Sequence, residues 1–116
     1  MAVTPLKLSG STNGRGIKLV TGAAGTTIHT CATATGPSKF DEIYCWAQNM
    51  VSVSKQVTMY VGSTGSIADR VIDTIPPKSG LYQMLPGVRL NNAVVVKAFA
   101  ASPCAVSIHG IVNRNA

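Results

Sequence analysis

Charge is scarce in this chain of 116 residues: Asp and Glu number four, Lys and Arg ten, and together they make up 12% of the sequence. That is about half the usual share for a soluble domain. With so few carboxylates, acid–base chemistry has little material. Asp41 and Glu42 are adjacent, and on a strand adjacent side chains point to opposite faces, so they cannot serve as a paired acid and base. Cysteine is also sparse and odd in number: Cys31, Cys45 and Cys104, with no CxxC. This spacing signals neither a disulfide framework nor a structural zinc site. The three are expected to be buried thiols acting as small hydrophobes, suited to a reducing compartment. No run approaches 18 apolar residues, so no membrane-spanning helix is expected. The segment Met1–Gly10 lacks the apolar core of a secretory signal.

Other chemistry is equally unsupported. His29 and His109 sit in Ile28-His29-Thr30 and Ile108-His109-Gly110. Each reads as a lone surface or strand-edge histidine, and nothing nearby nominates a third metal ligand. A Cys–His nucleophile pair has no motif behind it, although sequence cannot see tertiary contacts. The glycine loops Asn13-Gly14-Arg15-Gly16 and Gly62-Ser63-Thr64-Gly65 match neither phosphate-cradling pattern. No catalytic residue, cofactor or metal is therefore assigned.

What is present is β-type alternation. After a turn-rich stretch Ser9–Gly14, short segments follow: Gly16–Thr21, Thr26–Thr35, Phe40–Val51, Gln56–Gly62, Asp69–Ile75, Leu81–Leu85 with Val88–Leu90, Ala93–Ala101 and Cys104–Val112. Pro86-Gly87 is expected to end its strand, and the last two segments read as a hairpin around Ser102-Pro103. Turn signals recur about every 8–12 residues, the mark of a sandwich, jelly roll or small barrel. No segment sustains a 3.6-residue period with caps. The expected fold is an all-β, single-domain, antiparallel β-sandwich or jelly roll of about eight short strands, residues 15–116, preceded by a flexible arm, residues 1–14.

Phe40–Val51 is the most informative segment. Ile43, Cys45 and Ala47 share one face, and Glu42, Tyr44, Trp46 and Gln48 the other. With a core supplied by the first set, Tyr44 and Trp46 are candidates for a contact surface, because Trp and Tyr dominate interface hot spots. Tyr60 is a third candidate, and Pro5, Leu6 and Leu8 are candidates for an arm that reaches a neighbour. A sugar platform could use the same Tyr44 and Trp46, with Glu42 and Gln48 as polar partners. The net charge of +6 invites an acidic partner. The basic residues are dispersed singly, though, which suits a protein partner better than a dedicated nucleic-acid site.

Several stretches together resemble small virion structural proteins of tailed bacteriophages: Gly14-Arg15-Gly16-Ile17-Lys18-Leu19-Val20, Ala24–Thr30, Asp41–Asn49, Thr74–Leu81, Leu85-Pro86-Gly87 and Ile108–Arg114. The resemblance is to the proteins that decorate or cement the capsid. It implies a β-sandwich or jelly roll on the capsid surface of the virion, made in the host cytoplasm, with the major capsid protein as partner and a dimer or trimer as its own assembly. Neither membrane nor specific nucleic acid is expected as a partner. Rival readings are a tail or head–tail joining protein, a nucleic-acid-binding β-barrel, and a host-glycan-binding module.

Overall fold

The computed structural model describes residues 3–63, 65–100 and 105–116. Among them are nine strands: β1 (Val3–Lys7), β2 (Ile17–Lys18), β3 (Thr26–Thr30), β4 (Phe40–Asn49), β5 (Lys55–Gly62), β6 (Arg70–Ile75), β7 (Tyr82–Leu90), β8 (Val95–Ala100) and β9 (Val106–Asn115). A single 3₁₀ turn, Ile67–Asp69, precedes β6. The strands form two antiparallel sheets. One runs β1–β9–β4–β7, with β2 also on β9, and the other runs β3–β8–β5–β6.

The pairings show how the chain is wound. β1 and β2 lie end to end along the same edge of β9, facing 111–115 and 107–108, and act as one interrupted strand. The remaining pairs are β3 with β8, β4 with β7 and β5 with β6. First pairs with last and the ladder wraps inward, which is an eight-stranded jelly roll. The all-β sandwich expected from the sequence is what forms.

The core follows from alternation. Along β4 burial alternates without exception: Asp41, Ile43, Cys45, Ala47 and Asn49 point inward, and Phe40, Glu42, Tyr44, Trp46 and Gln48 outward. Ile43, Cys45 and Ala47 meet Val57 and Met59 of β5, Val96 and Ala98 of β8, and Ile108 and Val112 of β9 in one fully buried cluster. β-branched and small residues suit such facing pleats.

Four expectations change. Of the expected arm 1–14, the described residues 3–14 are not simply an arm: Val3–Lys7 is an edge strand on β9, and Leu8 is 2% exposed in the core. The following residues cross to the other sheet, where the Gly10 N–H donates to the Ile28 carbonyl. Pro86-Gly87 does not end its strand. β7 is an edge strand, where a missing N–H is tolerated, and its register shifts opposite Ile43/Tyr44 and Cys45/Trp46 absorb the irregularity. β8 and β9 belong to different sheets and form no hairpin, and Ser102 and Pro103 lie outside the described residues. The strand expected over Thr26–Thr35 is β3 alone, Thr26–Thr30.

If packing governs stability here, Ile43→Ala should cost about 3 kcal/mol by cavity formation. Ile111→Ala, on the outer side of β9 and 50% exposed, should cost under about 1 kcal/mol. Urea unfolding of both variants checks this, and equal losses would contradict the assignment of faces.

Candidate functional site

Two constellations of polar side chains stand out, one inside the sandwich and one on its surface. The inner one is centred on Asp41, 0% exposed. Its Oδ1 accepts from Arg114 Nε at 2.7 Å, and its Oδ2 accepts from Arg114 Nη2 at 2.9 Å, a bidentate pair. The same Oδ2 lies 2.7 Å from His29 Nε2 and accepts from the Ala32 N–H at 3.2 Å. His29 Nδ1 accepts from the Ser9 N–H at 3.0 Å. That bond requires Nδ1 to be unprotonated, so Nε2 carries the hydrogen it donates to Asp41.

His29 is therefore neither lone nor on the surface: it is 1% exposed. It does lie on an edge strand, β3. The register shift between Thr27 and His29 lets Ile28 and His29, neighbours in sequence, both face inward.

Cys31 joins this cluster. Its Sγ, a His29 ring nitrogen and an Asp41 oxygen all lie within 4.8 Å of one another, a set that could in principle hold a metal. The bonding argues otherwise. Both His29 nitrogens are engaged, and the Asp41 carboxylate already has Arg114 as counter-charge. Burial, then the Asp41 charge, pushes the Cys31 thiol up to about 12, which leaves it protonated and a poor nucleophile at neutral pH. Cys45, also buried, is raised by burial to about 12. Cys104 lies outside the described residues.

Burial opposes ionisation of Asp41, but hydrogen bonds from Arg114 and His29 and the Arg114 charge outweigh it and hold the carboxyl below its ordinary value. The folded pKa is thus depressed. Its stabilising contribution is complete above the unfolded value of about 3.9 and is lost as pH falls through the folded pKa.

The outer constellation covers the solvent side of the first sheet. β4 supplies Phe40, Glu42, Tyr44, Trp46 and Gln48. Register places Ile111 and Asn113 of β9 beside Tyr44 and Glu42, with Pro86 and Arg89 of β7 on the other side. The Tyr44 and Trp46 rings are nearly parallel, 18° apart in plane, with centroids 6.5 Å apart. Two glycines make room for rings on this face. A Cβ at Gly87, where φ is +105°, would sit 3.1 Å from the Tyr44 ring, and one at Gly16 would sit 2.7 Å from the His109 ring. His109 Nε2 lies 3.1 Å from Gln48 Oε1.

Glu42 is held from several sides. Tyr44 Oη donates to its Oε1 at 2.7 Å, and Arg89 Nε donates to its Oε2 at 2.9 Å. The Tyr44 and Arg89 hydrogen bonds lower its pKa, with burial working weakly against them, so Glu42 is an ionised acceptor at neutral pH; the Tyr44 hydroxyl is raised in turn, chiefly by its bond to Glu42. The Arg89 guanidinium lies 4.9 Å from the Phe40 ring centroid. Val3, Phe40, Glu42, Arg89, Asn113 and Asn115 line a shallow cleft of about 170 Å³ here. A larger cleft, about 310 Å³, lies on the opposite sheet between Tyr60, Gly62, Ser63, Val95 and Lys97.

The six contact residues expected from sequence do not form one patch. Tyr44 and Trp46 share the outer face, with exposed Pro5 two strands away across β9. Leu6 packs against the core and Leu8 is in it. Tyr60 is on the other sheet, 5% exposed, beside Phe99 and Arg70 at 5.9 Å each. Sequence reading missed Val3, Ile111, Asn113 and Arg89, which join the face only through strand order. The alternation of β9 was the available signal.

No protein-family model matches the chain, and no curated protein does. Two solved structures are similar, both of an exo-β-1,3-galactanase from Phanerochaete chrysosporium, one with β-1,3-galactotriose and one with galactose. Identity is 18% in each, with TM-scores of 0.48 and 0.46. The match covers 97% of this chain and 26% of the galactanase, so the chain spans about a quarter of that protein's length.

Asp41→Asn should cost about 3 kcal/mol by leaving Arg114 without its counter-charge. It should also flatten the fall in stability below about pH 4 that the parent shows. Denaturant midpoints at pH 7 and pH 3 measure both effects. Added zinc should leave the melting temperature of the parent unchanged, and a zinc-dependent rise would overturn the structural reading of the cluster.

Proposed function

We propose that this chain is a capsid decoration protein of a tailed bacteriophage, a non-enzymatic module that binds the assembled head through the major capsid protein. The resemblance supplies the capsid. The jelly roll is compatible with it, since viral capsid and lectin domains both use that fold. Low charge suits a surface partly covered by neighbours, and the net charge of +6 suits an acidic shell.

The observation that carries the adhesive part of this reading lies at one end of the sandwich. Asn49, 0% exposed, closes β4. Its Nδ2 donates to the carbonyls of Val53 at 2.9 Å, Ile75 at 3.2 Å and Pro76 at 3.1 Å, and its Oδ1 accepts from the Val51 N–H at 3.1 Å. The Lys78 N–H also donates to the Val51 carbonyl at 2.9 Å. One buried amide thus fixes the loops 50–54 and 76–81 to each other. Those loops expose Met50 (60%), Val53 (54%) and Leu81 (60%).

The amide bonds only to main chain, so it orders the backbone of the two loops before any contact forms and lowers the ordering cost of binding there. Covering the exposed parts of those three side chains is worth about 1 kcal/mol each. Symmetry-related copies add through avidity. Binding to the assembled shell and not to free subunits stabilises the shell by mass action.

Three measurements test this. The chain should occur in hundreds of copies per particle, as quantitative mass spectrometry would show; a handful of copies would point instead to a joining protein. Particles without it should release their genome at lower temperature. The variant carrying Met50→Ser, Val53→Ser and Leu81→Ser should bind shells on the order of 100-fold more weakly, with Trp46→Ala close to the parent. The reverse order would move docking to the sheet face.

A further inference from the structure

The outer face of the first sheet is not used by that docking reading, and its chemistry points elsewhere. A protein-docking hot spot wants a water-free apolar centre with polar groups at the rim. Here the polar groups run through the middle. Along β4 the outward series is aromatic, carboxylate, aromatic, aromatic, amide: Phe40, Glu42, Tyr44, Trp46, Gln48. At about 3.4 Å per residue, that series spans about 27 Å, the length of several linked sugar rings. β4 is an inner strand, hydrogen-bonded to β7 and β9 on its two sides, so no peptide can add to it as a further strand.

The cleft at the Phe40 end has the parts a hydroxyl-rich ligand requires. Glu42 is an ionised acceptor fixed by Tyr44 and Arg89. Asn113 and Asn115 line the same cleft and bring amide groups, each with both a donor and an acceptor. Asn115 is itself anchored, its Nδ2 donating to the Ser38 carbonyl at 3.0 Å. Arg89, its side chain 63% exposed, carries guanidinium donors to the rim. Val3 and Phe40 give apolar walls. A sugar hydroxyl donates and accepts at once, and its ring has an apolar C–H side, so it uses all three kinds of group. A phosphate or sulfate would instead meet the Glu42 carboxylate.

We propose that the cleft between β1, β9, β4 and β7 takes a sugar unit of a neutral oligosaccharide, with Glu42, Arg89 and Asn113 reading hydroxyls and neighbouring units lying over Tyr44 and Trp46. This activity is additional to shell docking and centres on the Phe40 end of the face, whereas the docking loops adjoin its Gln48 end through Met50, so either can fail without the other.

Trp46 is the chain's one tryptophan, and its emission reports directly on this face. The test is an array of glucose-, galactose- and mannose-terminated neutral oligosaccharides, with sulfated glycans and single-stranded DNA as anionic comparators. Each hit is then titrated by Trp46 emission at low and high salt. The expected result is a saturable, salt-insensitive emission change with a neutral oligosaccharide. Glu42→Gln should weaken it about tenfold, the loss expected when charge-assisted hydrogen bonds become neutral ones. Trp46→Ala, read by calorimetry, should weaken it similarly. Melting temperatures confirm that the variants fold, and Asn113→Ala substitutes for Glu42→Gln if the latter is unstable. Absence of any neutral hit overturns the proposal. So does undiminished binding by folded variants, or binding confined to the anionic probes and lost in salt.

Discussion

The Asp41 carboxylate is the point on which the two sheets depend. It lies on β4 in the first sheet and accepts from His29 on β3 in the second. Arg114, its cross-strand neighbour on β9, grips it with two bonds. Through His29 it also reaches Ser9, in the segment that leaves β1. One buried charge therefore connects both sheets and the crossing between them. Such a group is costly to bury alone and tolerable only when every lone pair is answered. The neutral His29 tautomer, the Ala32 N–H and the Arg114 cation together give it four hydrogen bonds without a surplus charge. This arrangement specifies one register: slipping β3 by a residue would turn His29 outward and leave Asp41 short of a donor.

That constraint explains why the N-terminal segment is structured. Composition around Ser9–Gly14 suggests flexibility, and composition alone carries no information about partners elsewhere in the chain. In the fold, Leu8 fills the core, the Ser9 hydroxyl accepts from the Thr30 N–H at 2.8 Å, and Gly10 sits so close to the β3 backbone that a Cβ would fall 2.2 Å from the Thr27 carbonyl oxygen. These contacts cover the exposed edge of β3, which would otherwise invite pairing with another chain.

Sequence reading succeeded where the physics is local. Period-2 alternation placed Ile43, Cys45 and Ala47 inward and Tyr44 and Trp46 outward, because a pleat alone decides that. It failed where the answer depends on strand order or on a bulge. His29 looked solitary because its partners lie 12 residues away on β4 and 20 residues back at Ser9, and only the bulge turns its ring inward. Tyr60 alternates as well as Tyr44 does, yet it is covered by Phe99 and Arg70, which no pattern within β5 reveals. The surface cleft was half legible: Glu42 stood out beside the aromatics, while Arg89 and Asn113 become its neighbours only once β7 and β9 flank β4.

The adjacency of Asp41 and Glu42, which argued against a catalytic pair, gives the molecule its division of labour. They are two of only four acidic residues. The pleat sends one inward and one outward, and each is met by an arginine from a different neighbouring strand, Arg114 on β9 and Arg89 on β7. Asp41 fixes the strand from below, and Glu42 arranges the aromatic surface above it. A shift of β4 by one residue would exchange them, with a flexible glutamate in the core and a short aspartate on the face. The register held by the buried pair is thus the same register that composes the exposed site, so the stability of the interior and the geometry of the surface are set together by one strand.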